Sequence, residues 1–159
     1  MTQPSVGHLA EWLRSGINLL AEARDVTLEE LLEARELLEV PAARLAAERR
    51  SEDDVERLRT TIPAGIGGPQ EEFTYNEEFH SIVLEASQNP LLVIAAQPIF
   101  TVLQTNLARS TLARSFYRAI HDHHRVITAA IEAGEPRAAE REMRGHLQFL
   151  RPFYEKAWR

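Results

Sequence analysis

The chemistry available to this chain centres on three histidines and one asparagine. Asn76 and His80 bracket Asn76-Glu-Glu-Phe-His80, and four residues make one helical turn, so both side chains leave the same face. Phe73, Glu77, Val83 and Leu84 fall within about 60° of that line, which makes it a core-facing stripe. The same count centres His124 among Tyr117, Ile120, Ile127 and Ile131, and His146 among Ala139, Met143, Phe149, Leu150 and Phe153. Three imidazoles thus point inward from three helices. A buried imidazole needs a hydrogen-bonding or metal partner, and three that converge satisfy one another most simply by sharing a cation. Zinc is the first expectation, with nickel or manganese as alternatives. Glu77 precedes His80 by three residues and Glu142 precedes His146 by four, so either could approach the ion or orient an imidazole from behind; the second role is preferred.

A single histidine on an apolar stripe is more often a satisfied core residue than a ligand, so the expectation rests on all three together. His121 and His123 lie roughly 60° and 100° off the His124 line and read as flank or surface positions, although His121 could border the pocket. His8 reads as exposed. Arg35 falls within the stripe of Leu28, Leu31, Leu32 and Leu38, where a permanent charge needs a partner. Two partners suit it: an internal glutamate or capped helix end, or the carboxylate of a small ligand held by the guanidinium fork. Gln104 and Asn106 could line the same cavity, and a solvated face would explain them equally well.

At 159 residues the chain suits one domain, read here as 7–159 after a disordered start or junction over 1–6. Its 44% hydrophobic and 26% charged residues are those of a soluble globular protein. Without cysteine it has no disulfide staple, thiolate metal site or cysteine nucleophile, which agrees with a cytoplasmic location. Neither a membrane-spanning run nor a signal-peptide core is evident. A net charge of -6 argues against this piece gripping a phosphate backbone by itself.

The elements that must position these residues are helical throughout. An opening helix is expected over 8–23. Thr27-Leu-Glu-Glu30 has the form of a capping box and starts a leucine-rich helix through Glu39, which Pro41 breaks or restarts, with a second piece to about Arg50. Ser51 with Asp54 starts a helix ending before Pro63, and a glycine-rich loop leads to the central helix, roughly Gln70 to Ser87. Asn89-Pro90 opens a helix to about Ala113 with a kink at Pro98; Arg114 to Ala133 follows, capped by Gly134, and Pro136 starts a last helix running nearly to Arg159, with a bend at Pro152. No segment alternates with period two. The expected fold is all-α, an antiparallel bundle of six or seven helices.

With these segments in place the chain resembles the C-terminal FCD domain of the FadR branch of GntR transcription regulators. The resemblance runs from Thr27 onward through Glu33-Ala-Arg-Glu-Leu-Leu-Glu39, Ala42-Ala-Arg-Leu-Ala-Ala-Glu-Arg49, Asn76-Glu-Glu-Phe-His80, Ala86-Ser-Gln-Asn89, His124-Arg-Val-Ile-Thr-Ala-Ala-Ile131 and Met143-Arg-Gly-His146-Leu147. Each motif alone is weak; in this order they are fairly specific. The resemblance implies an effector-binding and dimerising domain that follows a winged helix-turn-helix, a module not found in these residues. It also implies a divalent cation held by an aspartate and three histidines, a carboxylate metabolite completing the shell, and an arginine comparable to Arg35. His80, His124 and His146 match that pattern, whereas Asn76 stands where it has aspartate. An amide oxygen can ligate but carries no charge, so metal affinity should fall and an anionic ligand should be favoured.

The leading expectation is therefore a regulator's sensor domain, a homodimer that takes a small organic acid beside a metal and alters how attached DNA-binding modules meet their operator. Two alternatives stand beside it. One is a hydrolase in which the three-histidine metal activates water, disfavoured because only Glu77 and Glu142 could move protons. The other is a structural dimerisation module whose histidines are core hydrogen bonders.

Overall fold

Capping signals decide where the helices begin. The computed structural model describes residues 12, 15–16, 26–107 and 113–158, the side chain of Gln104 excepted. The opening helix expected over 8–23 lies outside these apart from residues 12, 15 and 16, which are helical. Helix α1, Leu28–Arg49, starts at a complete capping box: Thr27 Oγ1 accepts from Glu30 N (3.2 Å), and Glu30 accepts from Thr27 N (2.8 Å). Helix α2, Glu52–Thr60, repeats the device with Ser51 and Asp54. Pro69 opens α3, Pro69–Ala86, and Asn89 caps α4, Pro90–Asn106, by accepting from Leu91 N (3.2 Å). Helix α5 spans Arg114–Glu132 and α6 spans Pro136–Ala157. The described residues thus form six helices, with no strand beyond one antiparallel bridge between Leu107 and Trp158.

Two boundaries differ from the sequence reading. Pro41 does not break α1. Its missing N–H would have bonded the carbonyl of Leu37, and both residues are exposed on the solvent side, Leu37 at 67%, so water can serve that carbonyl while the opposite faces stay packed. Helix α4 ends at Asn106, seven residues before the expected Ala113. Leu107 is extended (φ -87°, ψ 127°), and its bridge to Trp158 ties the end of α4 to the end of α6.

Helix α1 is the hub, packed against α3, α4, α5 and most extensively α6. Contact on several sides explains why its buried residues do not form one narrow stripe; Ala42, Ala43, Ala46 and Ala47 let neighbouring backbones approach closely. Its C-terminal end is tied down three ways. Arg49 Nη1 donates to Ser87 O (2.8 Å), Gln88 Nε2 donates to Arg49 O (2.6 Å), and Arg50 Nη2 donates to Glu132 O (2.7 Å). The α5–α6 turn depends on Gly134, whose φ of +65° suits glycine and whose position leaves an added Cβ only 3.3 Å from Arg50 Nη2.

Candidate metal and effector site

Helix α3 supplies His80, α5 supplies His124 and α6 supplies His146, and the bundle brings all three into its dry interior, none more than 1% exposed. Their candidate ligand atoms lie within 4.8 Å of one another, and His80 Nε2 is 3.1 Å from His146 Nε2. The ring of Phe79 stacks on His124 with centroids 3.6 Å apart and planes 7° apart, which holds that imidazole between α3 and α5. Burial holds the pKa of His124 and of His146 well below the usual histidine value, and the neighbouring imidazoles and Arg35 push the same way. His80 is lowered by burial as well, against the opposing pull of Glu39. All three are therefore neutral at neutral pH, with lone pairs available.

Glu39, 1% exposed on α1, lies directly behind this cluster. Its Oε1 accepts from Arg35 Nε one turn earlier on the same helix, and its Oε2 contacts His80 Nδ1. Burial alone would raise the Glu39 pKa, yet the Arg35 guanidinium beside it leaves the carboxyl below its ordinary value and ionised. Arg35 also donates from Nη1 to the Tyr154 hydroxyl (3.4 Å), and its guanidinium lies 5.4 Å from the centroid of Phe100. Arg35 thus has the internal carboxylate partner expected of a buried cation, but its Nη2 is buried without any partner.

The donor set fits a metal ion. Both ring nitrogens of His124, Nδ1 of His146 and Oδ1 of Asn76 are buried with no hydrogen-bond partner, an arrangement that costs stability unless a cation takes the lone pair that each neutral imidazole and the amide oxygen can offer. Imidazole nitrogens sharing one tetrahedral ion stand about 3.3 Å apart, a spacing the His80 and His146 pair nearly has; the widest separation would close by about 1.5 Å. Asn76 is buried one turn before His80 and lies on the walls of two small adjoining cavities. The first, about 10 Å³, is also lined by Arg35, Glu77, Phe100 and Tyr154. The second, about 20 Å³, is lined by Glu72, Phe116, Tyr117 and Ile120 and shares Tyr154. Each has room for about one water, so a metabolite enters only if side chains between the two give way.

Other expected residues are placed differently. Glu77 is half-buried on the Arg35 cavity. Glu142, expected behind His146, makes no hydrogen bond to it: His146 Nδ1 has no partner, and Glu142 Oε1 accepts from Arg141 Nε (2.9 Å) and Nη2 (2.7 Å). Asn106 returns its amide to its own helix, donating to Val102 O (2.9 Å), and the Gln104 side chain lies outside the described residues. His121, expected on the flank, is 3% exposed and pairs through Nε2 with Glu72 Oε2 (2.7 Å), because α5 packs against α1, α2, α3 and α6 and buries more than one stripe. His123 is the half-buried flank residue, stacked on Phe149. Glu39 and Glu72 were missed as partners, though each had a signal: Glu39 follows Arg35 by four residues, and Glu72 precedes Asn76 by four.

The FCD domain family model matches residues 30–149. The chain is 31% identical over 138 residues to the HTH-type transcriptional regulator LutR of Bacillus subtilis strain 168, covering 81% of this chain and 62% of that protein. It is 28% identical to the putative L-lactate dehydrogenase operon regulatory protein of Escherichia coli K12, covering 83% and 53%, and 25% identical to the Uxu operon regulator of Haemophilus influenzae, covering 78% and 50%. The chain thus spans about half to three-fifths of the length of these curated relatives, all of them named as regulators rather than enzymes. Among solved structures, E. coli McbR/YncC is similar with a TM-score of 0.69 at 16% identity, covering 84% of this chain and 71% of that one, a likeness of fold.

Proposed function

The chain belongs to the FCD domain family of GntR-type transcription regulators, and from that premise we propose that it senses a small carboxylate metabolite beside a divalent metal ion, zinc first among the candidates. The observation that carries this reading is a neutral cluster of three buried imidazoles, two of them (His124 and His146) with partnerless nitrogens, backed by an arginine whose Nη2 is also partnerless. When bound, the ion supplies a fixed positive charge that neither the imidazoles nor Asn76 neutralise, so an anion is needed nearby. Arg35 Nη2 and the Tyr154 hydroxyl offer donors for one carboxylate oxygen, while Phe100, Phe116 and Ile120 exclude water around it. Similarity to the E. coli regulator of an L-lactate dehydrogenase operon makes L-lactate and related 2-hydroxy acids the first to test.

A homodimer and an attached DNA-binding module complete the proposal, both in the cytoplasm; no helix among the described residues is long and apolar enough to cross a membrane. The surface best suited to pairing is α4, which carries no charged residue from Pro90 to Asn106 and leaves Leu91 70% exposed. An effector changes operator binding only through unequal affinity for two arrangements of the pair. The test is elemental analysis of gently purified protein beside His80→Ala and His146→Ala, followed by calorimetry with small carboxylates with and without zinc. Near-stoichiometric metal lost in both variants, with carboxylate binding that needs the metal, supports the reading. Metal absent after reconstitution refutes it. The small size of the two cavities favours one rival, a structural module, which would show no thermal shift with metal or carboxylate.

A further inference from the structure

Glu39 joins the two halves of the site through its two oxygens, Oε1 accepting from Arg35 Nε and Oε2 in ion-pair contact with His80 Nδ1. An ionised carboxylate only accepts hydrogen bonds, and Arg35 only donates them, so the proton on the His80 ring is drawn to Nδ1. That leaves a lone pair on His80 Nε2, the atom 3.1 Å from His146 Nε2 at the heart of the cluster. On the other side, Glu39 occupies Arg35 Nε and Tyr154 occupies Nη1, so the guanidinium is held with Nη2 over for the cavity. We propose that Glu39 is a positioning residue that fixes the His80 tautomer for metal binding and the Arg35 fork for carboxylate binding at once. This rests on the metal-sensing reading above.

Glutamine at this position makes the idea testable. Arg35 cannot accept a hydrogen bond, so the single oxygen of the amide must face Arg35 and its NH2 must face His80 Nδ1. His80 then becomes an acceptor at Nδ1 and carries its proton on Nε2, the atom a metal would need. The experiment reads ring-nitrogen chemical shifts of histidine-labelled, metal-free protein by NMR, together with zinc affinity by chelator competition without any carboxylate. The expected wild-type state is Nδ1–H. Glu39→Gln should reverse it to Nε2–H and weaken zinc about 10- to 100-fold. The double variant Arg35→Met with Glu39→Gln frees the amide to turn its oxygen to His80, so it should restore the Nδ1–H form and most of the zinc affinity. A Glu39 that serves only as counter-ion to Arg35 would leave the tautomer unchanged in Glu39→Gln, and that result overturns the proposal. If Glu39→Gln does not fold, the wild-type spectrum decides: Nε2–H there also overturns it. Zinc failing to bind wild-type protein would sink the sensing reading, whereas the metal-free tautomer judges Glu39 separately.

Discussion

Replacing His124 by phenylalanine should make the metal-free protein more stable and the metal-loaded protein relatively less so. In the structure both nitrogens of this imidazole are buried without a partner, and a buried unsatisfied polar group costs roughly 1–3 kcal/mol. Phenylalanine removes that cost, has nearly the same shape and can keep the stacking on Phe79, where the present rings are 3.6 Å apart. Allowing about 1 kcal/mol for its larger volume, the net gain is about 1 kcal/mol, or a Tm higher by about 2–4 °C for a chain of this size. Zinc at one hundred times its dissociation constant should add about 2.7 kcal/mol to wild type and little to the variant, reversing the order. Thermal unfolding of both proteins in chelator and in zinc checks both signs. A metal-free His124→Phe that melts below wild type would falsify the premise, because it would mean the imidazole is already satisfied in the core.

Acid should destabilise the metal-free protein unusually early. Burial lowers the pKa of His80, His124 and His146, so the unfolded chain binds their protons more readily; the stability is fully present above about pH 6.5 and is lost as pH falls toward the lowered values. Denaturant melts from pH 7.5 to 5 should show a loss of up to about 1.4 kcal/mol per pH unit per histidine, shallower in His124→Phe, and a flat profile would contradict the burial. Gly134→Ala should cost about 1–2 kcal/mol, seen in the denaturant midpoint, since alanine is strained at φ +65° and its Cβ crowds Arg50. Leu91→Glu should turn a dimer into a monomer in sedimentation at micromolar concentration without lowering zinc affinity; an unchanged dimer would move the pairing face away from α4.

Where a feature depended on near neighbours in the chain, the sequence was enough to place it. The boxes at Thr27 and Ser51, the cap at Asn89 and the turn at Gly134 each use residues within four positions, and each start was legible. The inward histidines were legible too, because periodicity reports which side of a helix faces the core. What escaped depends on what lies across the bundle. Pro41 reads as a break only if its lost hydrogen bond matters, and that turns on which side of α1 is wet. His121 reads as a flank residue only if α5 has one buried stripe, and four other helices surround it. Glu142 and Glu39 were both spaced to serve a charged or ring partner, and only the packing of α1 on α3 selects Glu39.

The three ties at the C-terminal end of α1 give that helix the mechanics of a lever. Arg49 and Arg50 are pinned to the α3–α4 turn and to the end of α5, so a tilt of α1 about these ties would move Leu28 furthest. At 1.5 Å per residue, Arg35 lies about 21 Å from the fulcrum at Arg49 and Leu28 about 32 Å from it. Any swing imposed where Arg35 meets the cavity arrives at Leu28 about one and a half times larger, at the end of the rod that leads back toward the chain's N-terminal side.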